Sequence, residues 1–447
     1  MNLLVPITLA AWMPIIFVLF LALPPRRAII AAFVISWLFL PFGTGIKLAE
    51  GIPLLDKVSI NVLGVLLCAA LFDGNRLLTF RPRWFDFPIA IFSISPLFSA
   101  ITMGDGWYEG LAASFTYCLY WLLPYIIARV YFNDPQSLRE LAFGIILGGL
   151  AYVPLCLIEA RISPQLNNIV YGYYQHSFVQ TRRMGGWRPI VFMQHGLAVG
   201  MFMTTTTILA IWAASAKSIR IPWWVLAPLL VTTVLCRSLL AMVLLPVGLG
   251  ALYITRLIPT RVLLIALILV PPIYVIARAS NQYNAEGLVK LVKSFAGEER
   301  ASSLETRLDN EDRLVERALQ RPMFGWAFSG KFLIYDANGK NLTVPDGFWV
   351  IALGRNGLLG LVSAMLAILL PVMLFTYRFP ARTWHSPGLA PAAAMAVILA
   401  LHMIDNLMNA MLSPFFVLMM GAVSSFVDAA PRAVPQRESV LLAGAPV

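Results

Sequence analysis

Arg237 interrupts the apolar run LLVTTVLCRSLLAMVLL. A guanidinium at the centre of such a run costs about 2.5–3.5 kcal/mol on insertion scales. Two readings follow: the side chain snorkels to the interface, or it lines a cavity and holds an anion. Residues 300–321, RASSLETRLDNEDRLVERALQR, place more arginines on one helix that stops at Pro322. Ser302 or Ser303 stands where a cap belongs, with Glu305 close behind as in a capping box. At about 100° per residue, Leu304, Leu308, Val315 and Leu319 share a stripe, and Asp309, Asp312 and Glu316 share a second. Arg300, Arg307, Arg313, Arg317 and Arg321 sweep round the remaining face. The apolar stripe should pack on the rest of the chain and leave the basic face over a hollow. The competing reading is a solvated helix laced by the pairs Arg307–Glu311 and Asp309–Arg313.

A third basic segment, SPQLNNIVYGYYQHSFVQTRRMGGWRP (163–189), mixes Tyr171, Tyr173, Tyr174 and Trp187 with Arg182, Arg183 and Arg188. Aromatic rings beside arginine and amide side chains suit sugar stacking with phosphate contact, and equally suit anchoring at a membrane interface. His195 follows in FMQHG, either as a hydrogen-bonding group between helices or as a ligand contact. There is no P-loop, zinc-type histidine cluster or Ser-His-Asp constellation. The acidic group Asp309, Glu311 and Asp312 lacks the glycine turn of a calcium loop. No metal and no cofactor is therefore expected, and no nucleic acid partner. Many guanidinium groups, few carboxylates and an apolar interior suit a lipid-linked diphosphate, held bidentately while its tail lies between helices.

The elements that must position these groups are membrane spans. Of the 447 residues, 59% are hydrophobic and only 12% charged, about half the charge of a soluble domain. Mean hydropathy is +0.78. Apolar runs of about 15–25 residues fit a hydrocarbon core about 30 Å thick and lack the period-two alternation of a membrane barrel. The expected fold is an all-α polytopic bundle of 12–13 spans, over 3–23, 28–43, 58–72, 86–103, 111–131, 139–160, 190–215, 222–236, 239–255, 262–278, 346–376, 388–404 and 408–427. The last two runs also read as one broken or re-entrant pair. The organisation is then N-terminal spans (1–160), an outer loop (161–189), central spans (190–278), a long outer loop (279–345), C-terminal spans (346–427) and a cytoplasmic tail (428–447). Cys68, Cys118, Cys156 and Cys236 lie in or beside apolar runs without paired spacing and read as small core residues.

Alternate short loops and the tail carry fifteen of the 33 Lys and Arg residues, whereas the opposite short loops carry three, Lys47, Lys57 and Arg237. This asymmetry puts the basic set, including Arg432 and Arg437 of the tail, in the cytoplasm and the N-terminus outside. The two long loops then face outward although they are basic, which points to a translocated site for a polyanion.

The stretches RPIVFMQHGLAVGMF (188–202), Cys236-Arg237-Ser238, SLETRLDNEDRLVERALQRPMFGWAFSGKF (303–332) and DGFWVIALGRNGLLGL (346–361) resemble the O-antigen ligase and polymerase family. The likeness covers roughly residues 180–365 and is moderately specific. It implies a GT-C-like membrane fold and binding of undecaprenyl-diphosphate-linked glycan at the outer face of a bacterial plasma membrane. Arg237 matches the family's cavity arginine, although Cys precedes it and Ser follows. Arg307 matches the arginine fifteen residues before a proline, here Pro322, with Arg313 the alternative if the register slips. Where the family's late motif opens on histidine, this chain has Asp346. That departure points away from the ligase's histidine chemistry, towards a polymerase-like exopolysaccharide branch.

The expected activity is metal-independent glycosyl transfer, with Asp346, Arg237 and Arg307 catalytic. Arg188, Arg182, Arg313, Arg317, Trp187 and His195 are expected to contact substrate. Asp346 has two compatible readings, general base and helix N-cap. Expected partners are the lipid-linked donor, an acceptor glycan or lipid, membrane lipids and polysaccharide assembly proteins. The alternative is a transporter or flippase for such lipids. Transporters favour internal repeats and charges at midplane, and neither is evident here.

Overall fold

The computed structural model describes residues 2–47, 53–280, 285–327 and 330–429. The tail beyond, with Arg432 and Arg437, lies outside the described residues. Helix makes up 74% of the protein, and the named strands are two antiparallel pairs of two residues each. Among the described residues, ten helices are long and apolar enough to cross a membrane. They are Leu4–Ala22, Lys57–Leu77, Trp84–Met103, Trp107–Tyr131, Pro135–Ile162, Gly196–Ser215, Leu239–Leu257, Val262–Ala279, Phe348–Arg378 and Ala390–Met408. Pro25–Phe39, Trp223–Leu235 and Pro414–Ala429 are shorter. Each of the thirteen apolar runs thus becomes a helix, and the last two are separate helices.

Local chemistry sets the boundaries. Asp56 and Ser59 form a reciprocal capping box at the start of Lys57–Leu77, as do Asp134 and Ser137 at Pro135–Ile162. Gly104, with φ of 77°, closes the helix before it. Lys57, read from sequence as a loop residue, instead opens its helix and is buried. Its ammonium donates to the carbonyls of Trp37 and Phe192 at 3.0 and 3.2 Å. The 190–215 run is helical only from Gly196, so residues 188–195 are free to form a loop beside the bundle.

Contacts sort the loops into two ends. Lys331 meets Asp105 at 2.5 Å, and Arg307 meets Met408 and Asn409, at the end bearing both long loops. At the other end Arg26 pairs with Asp134 at 3.0 Å, Arg129 with Asp86 at 3.0 Å, and Ser215 with His385 at 3.1 Å. The alternation read from the charges is therefore the alternation of the fold.

The arginine-rich helix runs Glu298–Leu319 after Gly297, so it begins before the expected Ser302 or Ser303 cap. It buries Ala301, Leu308, Glu311, Leu314, Val315 and Ala318, while Leu319 is exposed. The expected Arg307–Glu311 pair is replaced. Glu311 turns inward to accept from Arg278 Nε at 2.7 Å, Tyr274 Oη at 2.8 Å and Trp349 Nε1 at 3.2 Å. Arg278 also meets Asp312 at 2.6 Å. A buried carboxylate with this many donors out-competes an i,i+4 partner on a wet surface. The clamp fixes the roll of the helix and turns Arg300 and Arg307, seven residues apart, to one side. Its far end is pinned where Phe348–Arg378 breaks at Gly357, with φ of 64°. There Leu358 N donates to Pro322 O at 2.7 Å and Trp326 N to Gly354 O at 2.8 Å. A side chain at Gly357 would collide with the backbone of Met323.

Candidate arginine site at the long-loop end

Glu159, at the end of Pro135–Ile162, organises the loop that delivers Arg188 and His195. Its carboxylate accepts from the amides of Leu166, Ile190 and Val191 at 2.8–2.9 Å. Ahead of this loop, Arg182 and Arg183 pair with Trp187 and Gly186 as a two-residue hairpin. Alternation along the strand turns Arg183 towards the site and leaves Arg182 in solvent.

Arg237 sits in the turn between Trp223–Leu235 and Leu239–Leu257 with a left-handed φ of 48°. A non-glycine residue held there costs of order 1–3 kcal/mol and is a mark of functional sites. Its Nη1 donates to the carbonyls of Arg183, at 3.2 Å, and Met184. Gly186 makes room for it, because a Cβ there would fall on the guanidinium. Arg188, buried, donates from Nη2 to Arg237 O at 2.9 Å. Burial, and then the like charges of Arg300, Arg183 and Arg307, draw the Arg188 pKa down to about 10. Arg300 is lowered for the same reasons, burial first and Arg183 next.

Arg307 donates from Nη1 to Met408 O at 3.0 Å and Asn409 Oδ1 at 3.1 Å. Its Nε lies 3.8 Å from Asp346 Oδ2. Asn409 in turn donates to Asp405 at 2.8 Å. Burial raises the Asp346 pKa, and Arg307 opposes the rise. Asp346 is not a capping residue: Gly347 holds the N-cap position of Phe348–Arg378, with no side-chain cap bond.

Arg183, Arg188 and Arg237 are joined by hydrogen bonds, and the charges of Arg300 and Arg307 act on Arg188. Among the described residues, two carboxylates form ion pairs with these five arginines, Asp346 with Arg307 at 3.8 Å and Glu299 with Arg183 at 3.4 Å. Three of the five keep a buried nitrogen without a hydrogen-bond partner among the described residues: Arg188 Nε, Arg237 Nε and Arg300 Nη2. Donors held this way against like charge are costly unless an anion fills their directions.

His195 stands at the rim, capping Gly196–Ser215. Its Nδ1 accepts from Leu197 N at 3.0 Å, and its ring meets His176 edge-on at 4.3 Å. Burial, His176 and the arginines push its pKa down to about 3. The ring is neutral at pH 7, and with Nδ1 accepting, its proton is on Nε2. It can donate a hydrogen bond but offers no free lone pair for base chemistry.

Of the residues expected from sequence, Arg188 and Arg237 share a hydrogen bond, Arg307 faces Asp346, and the Arg307 charge acts on Arg188 and His195. Arg182 and Arg313 are exposed to solvent outside the cluster. Arg317 stacks on Trp326 at 3.5 Å and donates to Gln320 and Lys331 O, which makes it part of the scaffold. Trp187 packs beside Phe178 with ring centres 5.4 Å apart. Arg183, Arg300, Asn409 and Asp405, which the sequence reading did not single out, stand in or beside the cluster. A cavity of about 330 Å³ is lined by Trp37, Asp56, Tyr120, Gln194, His402 and Phe416 among others, with residues 410 and 412–414 also in its wall and no arginine among its described lining residues.

No family model matches the chain, and no curated protein matches it. What helix length, hydropathy and packing show is the class. It is a multi-pass helical membrane protein.

Proposed function

We propose that the chain is a metal-independent, inverting glycosyltransferase that transfers or polymerises undecaprenyl-diphosphate-linked glycan at the outer face of a bacterial plasma membrane. The observation that carries this reading is the guanidinium cluster, with three buried nitrogens unpartnered among the described residues, and the partly buried Asp346 facing Arg307. A diphosphate matches the number and fork geometry of the donors. The positive-inside asymmetry of the loops supports an outward-facing site at this end.

In the proposed reaction, Arg188, Arg237, Arg300 and Arg307 hold the diphosphate, with Arg183 closing the cluster. The glycosidic C1–O bond breaks and its electron pair passes to the diphosphate oxygen, where the guanidinium groups stabilise the growing charge. The acceptor hydroxyl oxygen bonds to C1 from the opposite face, and its proton goes to Asp346. A carboxylate raised by burial is better matched to that task than one at the ordinary value near 3.9. Preformed positive charge of this kind does the work that a divalent cation does elsewhere. Charges gathered at one end of the bundle favour surface chemistry over passage through its middle.

The test is the purified protein in detergent with undecaprenyl-diphosphate oligosaccharide and excess EDTA. The expected result is release of undecaprenyl diphosphate together with longer glycan. Intact donor after prolonged incubation with a range of acceptors, or transport of the donor across sealed vesicles without cleavage, would reject the transferase reading.

A further inference from the structure

The end of the bundle opposite the arginine site carries a groove of about 1030 Å³ between Pro25–Phe39 and Pro135–Ile162, closed by residues 217–220 and 387–388. Its lining is graded. Arg27, Arg139, Lys217 and Arg220 lie at the end of the bundle, and Ile30, Val34, Ile35, Phe143 and Leu147 continue along the helices. Arg27 to Ile35, and Arg139 to Leu147, each span eight residues, or about 12 Å of helix. Polar groups thus meet the interface, and the apolar slot runs from there towards the bilayer centre.

The basic end is not a set of satisfied ion pairs. Glu140, the carboxylate in the groove, is already taken by Arg27 at 3.2 Å and Arg26 at 3.8 Å. Arg139, Lys217 and Arg220 have no acidic partner among the described residues. Ser218, 2% exposed, lines the groove with a buried hydroxyl that has no hydrogen-bond partner among them either. Gly144, in the wall of the slot, lets the two helices approach closely, since a Cβ there would overlap Ile30. Ile35, Phe143 and Leu147 remain exposed along it.

We propose that this groove is a binding site for one anionic phospholipid, phosphatidylglycerol-like in chemistry. The phosphate meets Arg139, Lys217, Arg220 and the Ser218 hydroxyl, and an acyl chain lies along Ile30, Val34, Phe143 and Leu147. A free phosphate would use the cations but leave the slot exposed, whereas a zwitterionic lipid would fill the slot but bring its own cation. Basic pockets between spans favour anionic headgroups on these grounds. The inference does not depend on the proposed transferase activity.

The experiment is native mass spectrometry of the full-length protein titrated with phosphatidylglycerol or phosphatidylcholine of identical chains. At least tenfold tighter retention of phosphatidylglycerol is expected. The triple variant R139Q/K217Q/R220Q should fall to the phosphatidylcholine level. A control triple at the same end but outside the groove, R81Q/R261Q/R382Q, should keep the preference. Ala31→Trp, which fills the slot without changing charge, should lose it, and keeps the test decisive should the groove triple not fold. Equal retention of the two lipids, equal loss in the control triple, unchanged retention in Ala31→Trp, or full competition by glycerophosphoglycerol, which has no chains, would each overturn the proposal.

Discussion

Arg307→Ala is expected to lower glycan transfer by at least about 100-fold, the usual loss when one preorganised charge donor is removed from a developing anion. The residue joins three parts of the site. Its guanidinium reaches Met408 O and Asn409 Oδ1 at the end of Ala390–Met408, faces Asp346, and adds to the field that lowers the Arg188 and His195 pKa values. Alanine therefore removes one of the proposed diphosphate contacts and also frees the Asp346 carboxylate from its opposing charge. The Asp346 pKa should rise further, since burial then acts alone. Arg307→Lys separates the effects: it keeps a point charge near Asp346 and loses the fork. Steady-state assays on both variants should show lysine recovering the position of the acid limb of the pH profile and little of the rate. Full activity in Arg307→Ala would remove this residue from the mechanism.

Asp346→Asn is expected to cost about 10²–10⁴ in kcat, the range for a positioned general base, with little change in donor binding. The side chain caps no helix, so the amide should leave the fold intact. The sign of the pH dependence follows from burial. A base with a raised pKa is lost to protonation as pH falls, so wild-type activity should decline on the acid side at a pH above the ordinary carboxylate value. In Asp346→Asn that limb should vanish from the residual rate. Retention of the limb in the variant would assign it to another group. His195 does not supply it, because its ring is neutral well below that range.

The spans were legible because hydropathy over a run of residues is insensitive to packing detail. All thirteen runs became helices, and only their ends moved. The candidate site was legible in part of its membership. Arg237 could be read from the apolar run around it, Asp346 from the family resemblance, and Arg188 from its aromatic-rich segment. The choice of Arg182 over Arg183 was beyond composition, since it depends on which face of a two-residue strand points inward. On the outer helix, a full basic face was visible but its roll was not. The roll is fixed by Arg278, a residue on the preceding span that clamps Glu311, and this turns Arg300 and Arg307 inward while Arg313 and Arg317 fall elsewhere. Asp405 and Asn409 carried a usable signal that the sequence reading passed over. Polar residues four apart in an otherwise apolar span, LHMIDNLMN, are expensive to bury and mark function by default. Glu159 gave no local signal, because its partners are backbone amides from residues 166, 190 and 191.

The central claim is that clustered guanidinium groups, with no divalent cation, grip a lipid diphosphate. Calorimetric titration of the purified protein with undecaprenyl diphosphate and with undecaprenyl monophosphate, in EDTA throughout, tests it most directly. Diphosphate affinity at least tenfold higher than that for the monophosphate is expected, falling to the monophosphate level in Arg188→Gln/Arg300→Gln. Equal affinity for the two lipids, or diphosphate binding that survives the double substitution unchanged, would contradict it.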